Sequence, residues 1–150
     1  MGRMYSLSFA DEAITTAVDF FQIEPVTAAV VLHACYISQT LDVGDAAAEN
    51  LVIQIRRVTD ALTDADAAVK LDPDTPTETA DTVITATALA TGAAIVHVEA
   101  WNIALPWVWL PPPELRIWGE IGNVLTVGFK SAPADSLTMS GTLYFEEIGG

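Results

Sequence analysis

Two histidines and a single cysteine are the side chains best suited to nucleophilic or metal chemistry in this chain of 150 residues. His33 and Cys35 stand two apart in an apolar run. On a strand their side chains would share a face, and a thiol beside an imidazole base is the arrangement of a cysteine nucleophile. The same face would carry Val31 and Ile37, where a small buried thiol and a hydrogen-bonded histidine are ordinary parts of a core. The core reading is the one expected. His97 and Glu99 repeat the two-residue spacing, which can set two metal ligands side by side. Zinc needs a third and a fourth ligand, and the sequence suggests neither. Asp60, Asp64, Asp66, Asp72, Asp74 and Glu78 crowd a region where calcium could take oxygen ligands. The region lacks the central Gly and terminal Glu of the helix-loop-helix calcium motif, and a solvated acidic face is expected. Ser131, Ser136 and Ser140 have no Gly-x-Ser-x-Gly context, and no Gly-rich turn is followed by Lys and Ser or Thr. The chain is therefore expected to have no catalytic residues, no metal and no cofactor.

The most distinctive stretch is aromatic. Trp101, Trp107, Trp109 and Trp118, all four tryptophans of the chain, fall within eighteen residues that also hold Pro106 and the run Pro111, Pro112, Pro113. Proline cannot donate to a sheet ladder, so this segment must be an edge or a long crossing connection. Large aromatics there can anchor a protein interface or form a platform on which a sugar ring stacks, with Trp107 and Trp109 as the candidates. They can equally plug one end of a sandwich. Phe20 and Phe21 are adjacent, so on a regular strand they point to opposite faces.

The elements that must position these residues read as strands. Short β-rich runs separated by turn residues cover 5–9, 18–25, 30–38, 51–59, 82–89, 94–103, 115–118, 124–130 and 137–146. In the fourth, Leu51, Ile53 and Ile55 share one face, and Gln54 and Arg56 the other with Val52 and Val58, the pattern of a half-buried strand. In the last, Leu137, Met139, Gly141, Leu143 and Phe145 lie opposite Thr138, Ser140, Thr142, Tyr144 and Glu146. Residues 45–50 and 63–70 could form a helical turn or two, and 71–79, with two prolines and several acids, should be an exposed loop. No repeat or linker divides the chain. The expected fold is all-β: one domain over residues 1–150, a jelly-roll-like β-sandwich of eight or nine short strands with few or no helices. An immunoglobulin-like sandwich is the nearest alternative.

Composition limits the partners. Six Lys and Arg against twenty Asp and Glu leave a formal charge of −14, and the six basic residues are scattered. Direct nucleic-acid binding needs cations that displace phosphate counterions, and anchoring to an anionic membrane needs a basic patch. Neither is expected. The longest apolar stretches are about half a membrane span, and residues 4–10 are too soon interrupted by Asp11 and Glu12 for a secretory signal. Met1, Gly2 and Ser6 fit the short myristoylation pattern without a supporting basic patch. Cys35 is alone, so stability must come from packing rather than an internal disulfide. A content of 51% hydrophobic residues exceeds what an acidic monomer of this size needs, and homo-oligomerisation is the natural outlet.

In this overall character, and in the run Ser140-Gly141-Thr142-Leu143-Tyr144-Phe145-Glu146-Glu147-Ile148-Gly149-Gly150, the chain resembles the small all-β decoration, or cement, proteins of tailed-bacteriophage capsids. The resemblance implies oligomers, trimers foremost, assembled in the host cytoplasm, that sit on the outer capsid surface and clamp neighbouring major capsid protein subunits without chemistry. It transfers no individual site residue. Trp101, Trp107, Trp109, Pro111, Pro112, Pro113 and Trp118 are then the expected interface or ligand-binding residues. The alternatives are a carbohydrate- or receptor-binding module using an exposed Trp platform, and a small cupin-like enzyme with a metal at His97 and Glu99.

Overall fold

Long runs of β-branched and aromatic residues with few internal breakers form strands here; those at 3–14, 29–41 and 137–148 outrun the sequence pattern, and those at 19–24, 81–84 and 124–129 are shorter than it marks. The structure, a computed structural model, describes residues 2–41, 49–62, 65–86, 89–90 and 94–149. Its strands are β1 (Arg3–Ile14), β2 (Asp19–Glu24), β3 (Ala29–Leu41), β4 (Asn50–Val58), β5 (Val69–Lys70), β6 (Asp81–Ile84), β7 (Ala94–Asn102), β8 (Trp107–Trp109), β9 (Trp118–Gly119), β10 (Val124–Phe129) and β11 (Leu137–Ile148). One 3-10 turn, Pro113–Leu115, follows the proline run and takes the place of the start of the strand expected at 115–118. Of the two helical candidates, 45–48 and 63–64 lie outside the described residues. Residues 65–70 are not helical, and Asn50 already opens β4.

The strands build two antiparallel sheets, ordered β5-β1-β11-β3-β8, with β9 also on β3, and β6-β2-β10-β4-β7. Removing the two short strands β5 and β6 and the two-residue β9 leaves β1-β11-β3-β8 over β2-β10-β4-β7. That is the jelly-roll order, four strands to a sheet, and the expected sandwich is present, with eleven strands among the described residues rather than eight or nine. No helix of the described residues is long and apolar enough to cross a membrane.

The core lies between the sheets. β11 alternates as read, with Leu137, Met139, Leu143 and Phe145 buried. The Phe20 and Phe21 expectation fails for a specific reason. Pairing along β2 and β10 slips between Val127 and Gly128, leaving Phe20 as an extra residue, and this bulge turns both rings inward. Phe20 meets Phe129 edge-on at 4.7 Å, and Phe9 lies 5.8 Å from Phe20 and 5.4 Å from Phe21. The slip also turns Asp19 to the outer side of its sheet. Only glycine allows that approach, because a Cβ on Gly128 would stand 2.4 Å from the Val18 carbonyl oxygen and 2.7 Å from Asp19 Cα.

The outer face of this sheet is not wet where expected. Gln22, Thr126 and Arg56 form one row across β2, β10 and β4, and all are buried, as is Gln54. The chain leaving β6 covers them: the Thr85 and Ala86 amides donate to the Phe20 and Asp19 carbonyls. The Ala90 amide donates to Asp19 Oδ2 at 2.9 Å, and its carbonyl accepts from Arg56 Nη1 at 3.1 Å. Beneath this strap Arg56 Nη2 pairs with Asp19 Oδ1, and Gln22 Nε2 donates to Oδ2 at 3.0 Å. β4 is thus buried on both faces, because a buried carboxylate satisfies the guanidinium that its polar face presents.

Asp19→Ala would leave Arg56 buried without its countercharge. Loss of one partner of such a pair costs about 3–5 kcal/mol, to be read as a lower urea midpoint, while Glu114→Ala on the exposed turn should leave the midpoint unmoved. Equal midpoints for the two variants would refute the account of the strap.

Candidate functional site

The residues singled out for chemistry are separated by the fold. Pairing of β3 with β11 shifts between Tyr144 and Phe145, so the β3 alternation changes phase at His33. Val30, Leu32, Cys35 and Ile37 enter the core, and His33 points to the other side, where its Nε2 lies 2.7 Å from Glu146 Oε2. The two do not share a face, and Cys35 is fully buried, with burial pushing its thiol well above the usual range. His97 Nε2 and Glu99 Oε2 do stand together, 3.6 Å apart on β7. Among the described residues no group of three His, Cys, Asp or Glu side chains converges as a metal site would require.

Three of the acidic loop carboxylates are engaged with backbone amides. Asp66 Oδ2 accepts from Ile84 N at 2.8 Å, Glu78 Oε1 from Ala68 N at 2.6 Å and Asp72 Oδ1 from Asp74 N at 3.0 Å. Asp64 lies outside the described residues. Residues 71–79 form the exposed loop expected, tied down by two contacts that sequence reading missed. Glu147 is fully buried; its Oε1 accepts from the amides of Thr79 at 2.6 Å and Ala80 at 2.8 Å, and its Oε2 pairs with Arg3 at 3.1 Å. Tyr5 donates to the Pro76 carbonyl at 2.9 Å, and burial, then the Glu147 charge, raise its hydroxyl's pKa.

The aromatic segment is an edge, as its prolines require, and it sits where the two sheets come apart. β8 closes one sheet and β7 the other. Three of the four tryptophans turn inward across that opening. Trp101 stacks on Phe129 at 6.0 Å and donates from Nε1 to the Leu105 carbonyl at 2.6 Å. Trp107 Nε1 donates to Glu99 Oε2 at 3.1 Å, and the Trp109 ring lies 6.2 Å from His97. Trp107 and Trp109 are 3% and 6% exposed, so they are not a displayed platform. The reason is the period of a strand: in Trp107-Val108-Trp109 the two rings share the inward face and Val108 is left outside. Trp118, half exposed on β9, is the one that faces solvent, and Arg57 Nη2 holds its carbonyl at 2.6 Å.

What the edge displays instead is aliphatic. Ile95, Val96 and Val98 on β7, and Leu105, Val108, Leu110, Leu115, Trp118 and Ile121 beyond it, are all exposed. Pro112 and Pro113 are exposed and Pro111 is partly covered. A groove of about 400 Å³ runs between the strands, lined by Val96, His97, Trp109, Leu110, Pro111 and Leu115 among others. On a chain of charge −14, an edge where Val96, Val108, Leu110 and Leu115 line one groove is the feature suited to binding another surface. Its individual aliphatic members carry no motif. The only signal for them was the hydrophobic surplus of the whole chain.

No protein-family model matches the chain, and no curated protein or solved structure matches it either.

Two outcomes follow. Trp101→Ala should cost about 3–5 kcal/mol in unfolding free energy and Trp118→Ala less than about 1 kcal/mol, the reverse ranking being incompatible with this edge. Cys35 should resist a maleimide at about pH 8 in the folded protein and react fully in guanidinium, whereas rapid labelling of the native chain would place the thiol elsewhere.

Proposed function

We propose that this chain is a structural assembly protein of a virus particle, a homo-oligomer that decorates the outer surface of a phage capsid and ties major capsid protein subunits together. The observation that carries the reading is the concentration of exposed aliphatic side chains along the β7 and β8 edge of an otherwise acidic sandwich. An apolar strip of this kind buries against protein, and the remaining negative surface keeps one oligomer apart from the next in solution. The jelly-roll order and the resemblance noted in the sequence support the same reading. Binding would need no chemistry: several weak contacts made by one oligomer sum to a firm attachment, because each contact raises the effective concentration of the next. The particle is assembled in the host cytoplasm, and the protein then faces outward on the shell.

The sugar-platform alternative loses its two named rings to the core and retains only Trp118. The metal-enzyme alternative has two candidate ligands, His97 and Glu99.

The test is co-sedimentation of the purified protein with empty shells assembled from the major capsid protein of the same particle. The wild-type chain should sediment with the shells, and the double variant Leu110→Asp, Leu115→Asp should lose at least about tenfold in affinity, a difference of about 1.4 kcal/mol, with its unfolding midpoint unchanged. Failure of the wild type to bind, or full binding by the variant, would overturn the proposal. Saturable glycan binding abolished by Trp118→Ala, or stoichiometric zinc in the purified protein, would replace it.

A further inference from the structure

We infer that two copies of this chain associate by pairing β7 with the partner's β7, antiparallel about a two-fold axis at Val98, which joins two five-stranded sheets into one. The first argument is the state of the sheet edges. Of the other edges, β5 and β9 have two residues each, β8 three and β6 four, and where β5 leaves β1 uncovered beyond Ser6 that strand carries a bulge between Phe9 and Glu12 and the exposed acids Asp11 and Glu12. β7 has nine residues, with no Pro, Lys or Arg among them. Natural edges are blunted by such residues or by bulges, and β7 carries a single bulge, at Val96, where the pairing with β4 slips between Ile55 and Arg56.

The second argument is hydrogen-bond phase. The Ile103 amide donates to the Glu49 carbonyl. Alternation along an antiparallel ladder then turns the backbone groups of Trp101, Glu99 and His97 toward β4, and those of Val98, Ala100 and Asn102 toward the open edge. Val98 can therefore sit opposite the partner's Val98 as a hydrogen-bonded pair, with Ala100 opposite the partner's Val96.

The third argument is charge, and it selects the register. Residues 94–102 hold one carboxylate, Glu99, and one histidine, His97. An axis at Glu99 would set two carboxylates face to face, and like charges directly opposite destabilise a sheet; an axis at His97 would leave Glu99 without the imidazole opposite it. An axis at Val98 places each His97 opposite the partner's Glu99, in the closer, non-hydrogen-bonded type of pair. His97 Nε2 makes no hydrogen bond within its own chain, where it is buried 3.6 Å from Glu99 Oε2, and a turn of the ring would bring it to the partner's Glu99. On the outer side the same register sets Val98 against the partner's Val98 with Ala100 of each chain beside it, both exposed in the single chain.

Such a contact closes on itself, so the oligomer is a dimer and not the trimer expected from the sequence. The inference rests on the oligomeric part of the proposed function and not on the capsid. The experiment is therefore made without shells, by light scattering and by symmetric cross-linking. The mass should be close to twice 16.0 kDa. Val98→Cys should oxidise almost completely to a covalent dimer, because hydrogen-bonded partners lie about 5.5 Å apart at Cα. The wild type, whose Cys35 is buried, and Ala100→Cys should not cross-link. Val98→Pro should give a monomer with unchanged strand content, since the lost N–H faces the open edge. A monomeric wild type, a mass of three chains, a dimeric Val98→Pro, or faster cross-linking from Cys at 97 or 99 would each overturn the pairing. A monomer that still binds shells sinks the pairing alone, and a dimer that ignores shells sinks the decoration reading alone.

Discussion

The ion pair of Asp19 with Arg56 is the contact on which the second sheet is organised. It spans three strands, because Asp19 belongs to β2, Arg56 to β4, and β10 runs between them. It also receives the chain on its way from β6 to β7, which are the opposite edges of the same sheet. A connection that must cross a whole sheet needs anchorage on the face it crosses, and the Ala90 amide and carbonyl find it on these two side chains. Burying both charges is tolerable because each carboxylate oxygen and both terminal guanidinium nitrogens have partners, the condition under which a buried pair does not simply cost its desolvation. The position of β7, and so of the apolar edge, follows from where that strap is held.

The two flanks of the sandwich are consequently unlike. On the β5 and β6 side, Glu147 gathers two loop amides and Arg3, and the 71–79 loop lies over the strand ends. On the β7 and β8 side Trp101, Trp107 and Trp109 are buried, and the indole N–H groups of Trp101 and Trp107 are satisfied by the Leu105 carbonyl and Glu99. Where the wide rings take the inward positions, their neighbours Val108 and Leu110 are left outside. Buried tryptophans and exposed leucines on one segment are thus a single geometric fact.

The parts of this that could be read from the sequence are those with a period. β11 and β4 showed their core faces by alternation, and the prolines announced an edge. What alternation cannot show is a change of phase. At Phe20 and at His33 a bulge shifts the faces, which brought Phe20 inside and separated His33 from Cys35. Gly128 was a hint of the first, since a glycine inside a strand marks a bulge or a close approach, but its partner could not be identified without the pairing. Arg56 and Gln54 looked solvated because their cover comes from a segment some thirty residues away. The tryptophans were recognised as a unit and assigned the wrong exposure, the alternation in Trp107-Val108-Trp109 being too short to say which face is inner.

β10 and β11 have a kinetic consequence. Each is central in its sheet, β10 between β2 and β4 and β11 between β1 and β3, so every long strand of the first half of the chain waits for a partner from residues 124–148. Before those residues are in place, β1 to β4 have nothing between them but open ladders. Contacts so distant in sequence make folding slow, in the range of milliseconds to seconds for sandwiches of this kind. During that interval the half-made sheets are the species most exposed to mispairing, and the fourteen surplus negative charges are what keeps one nascent chain from templating on another.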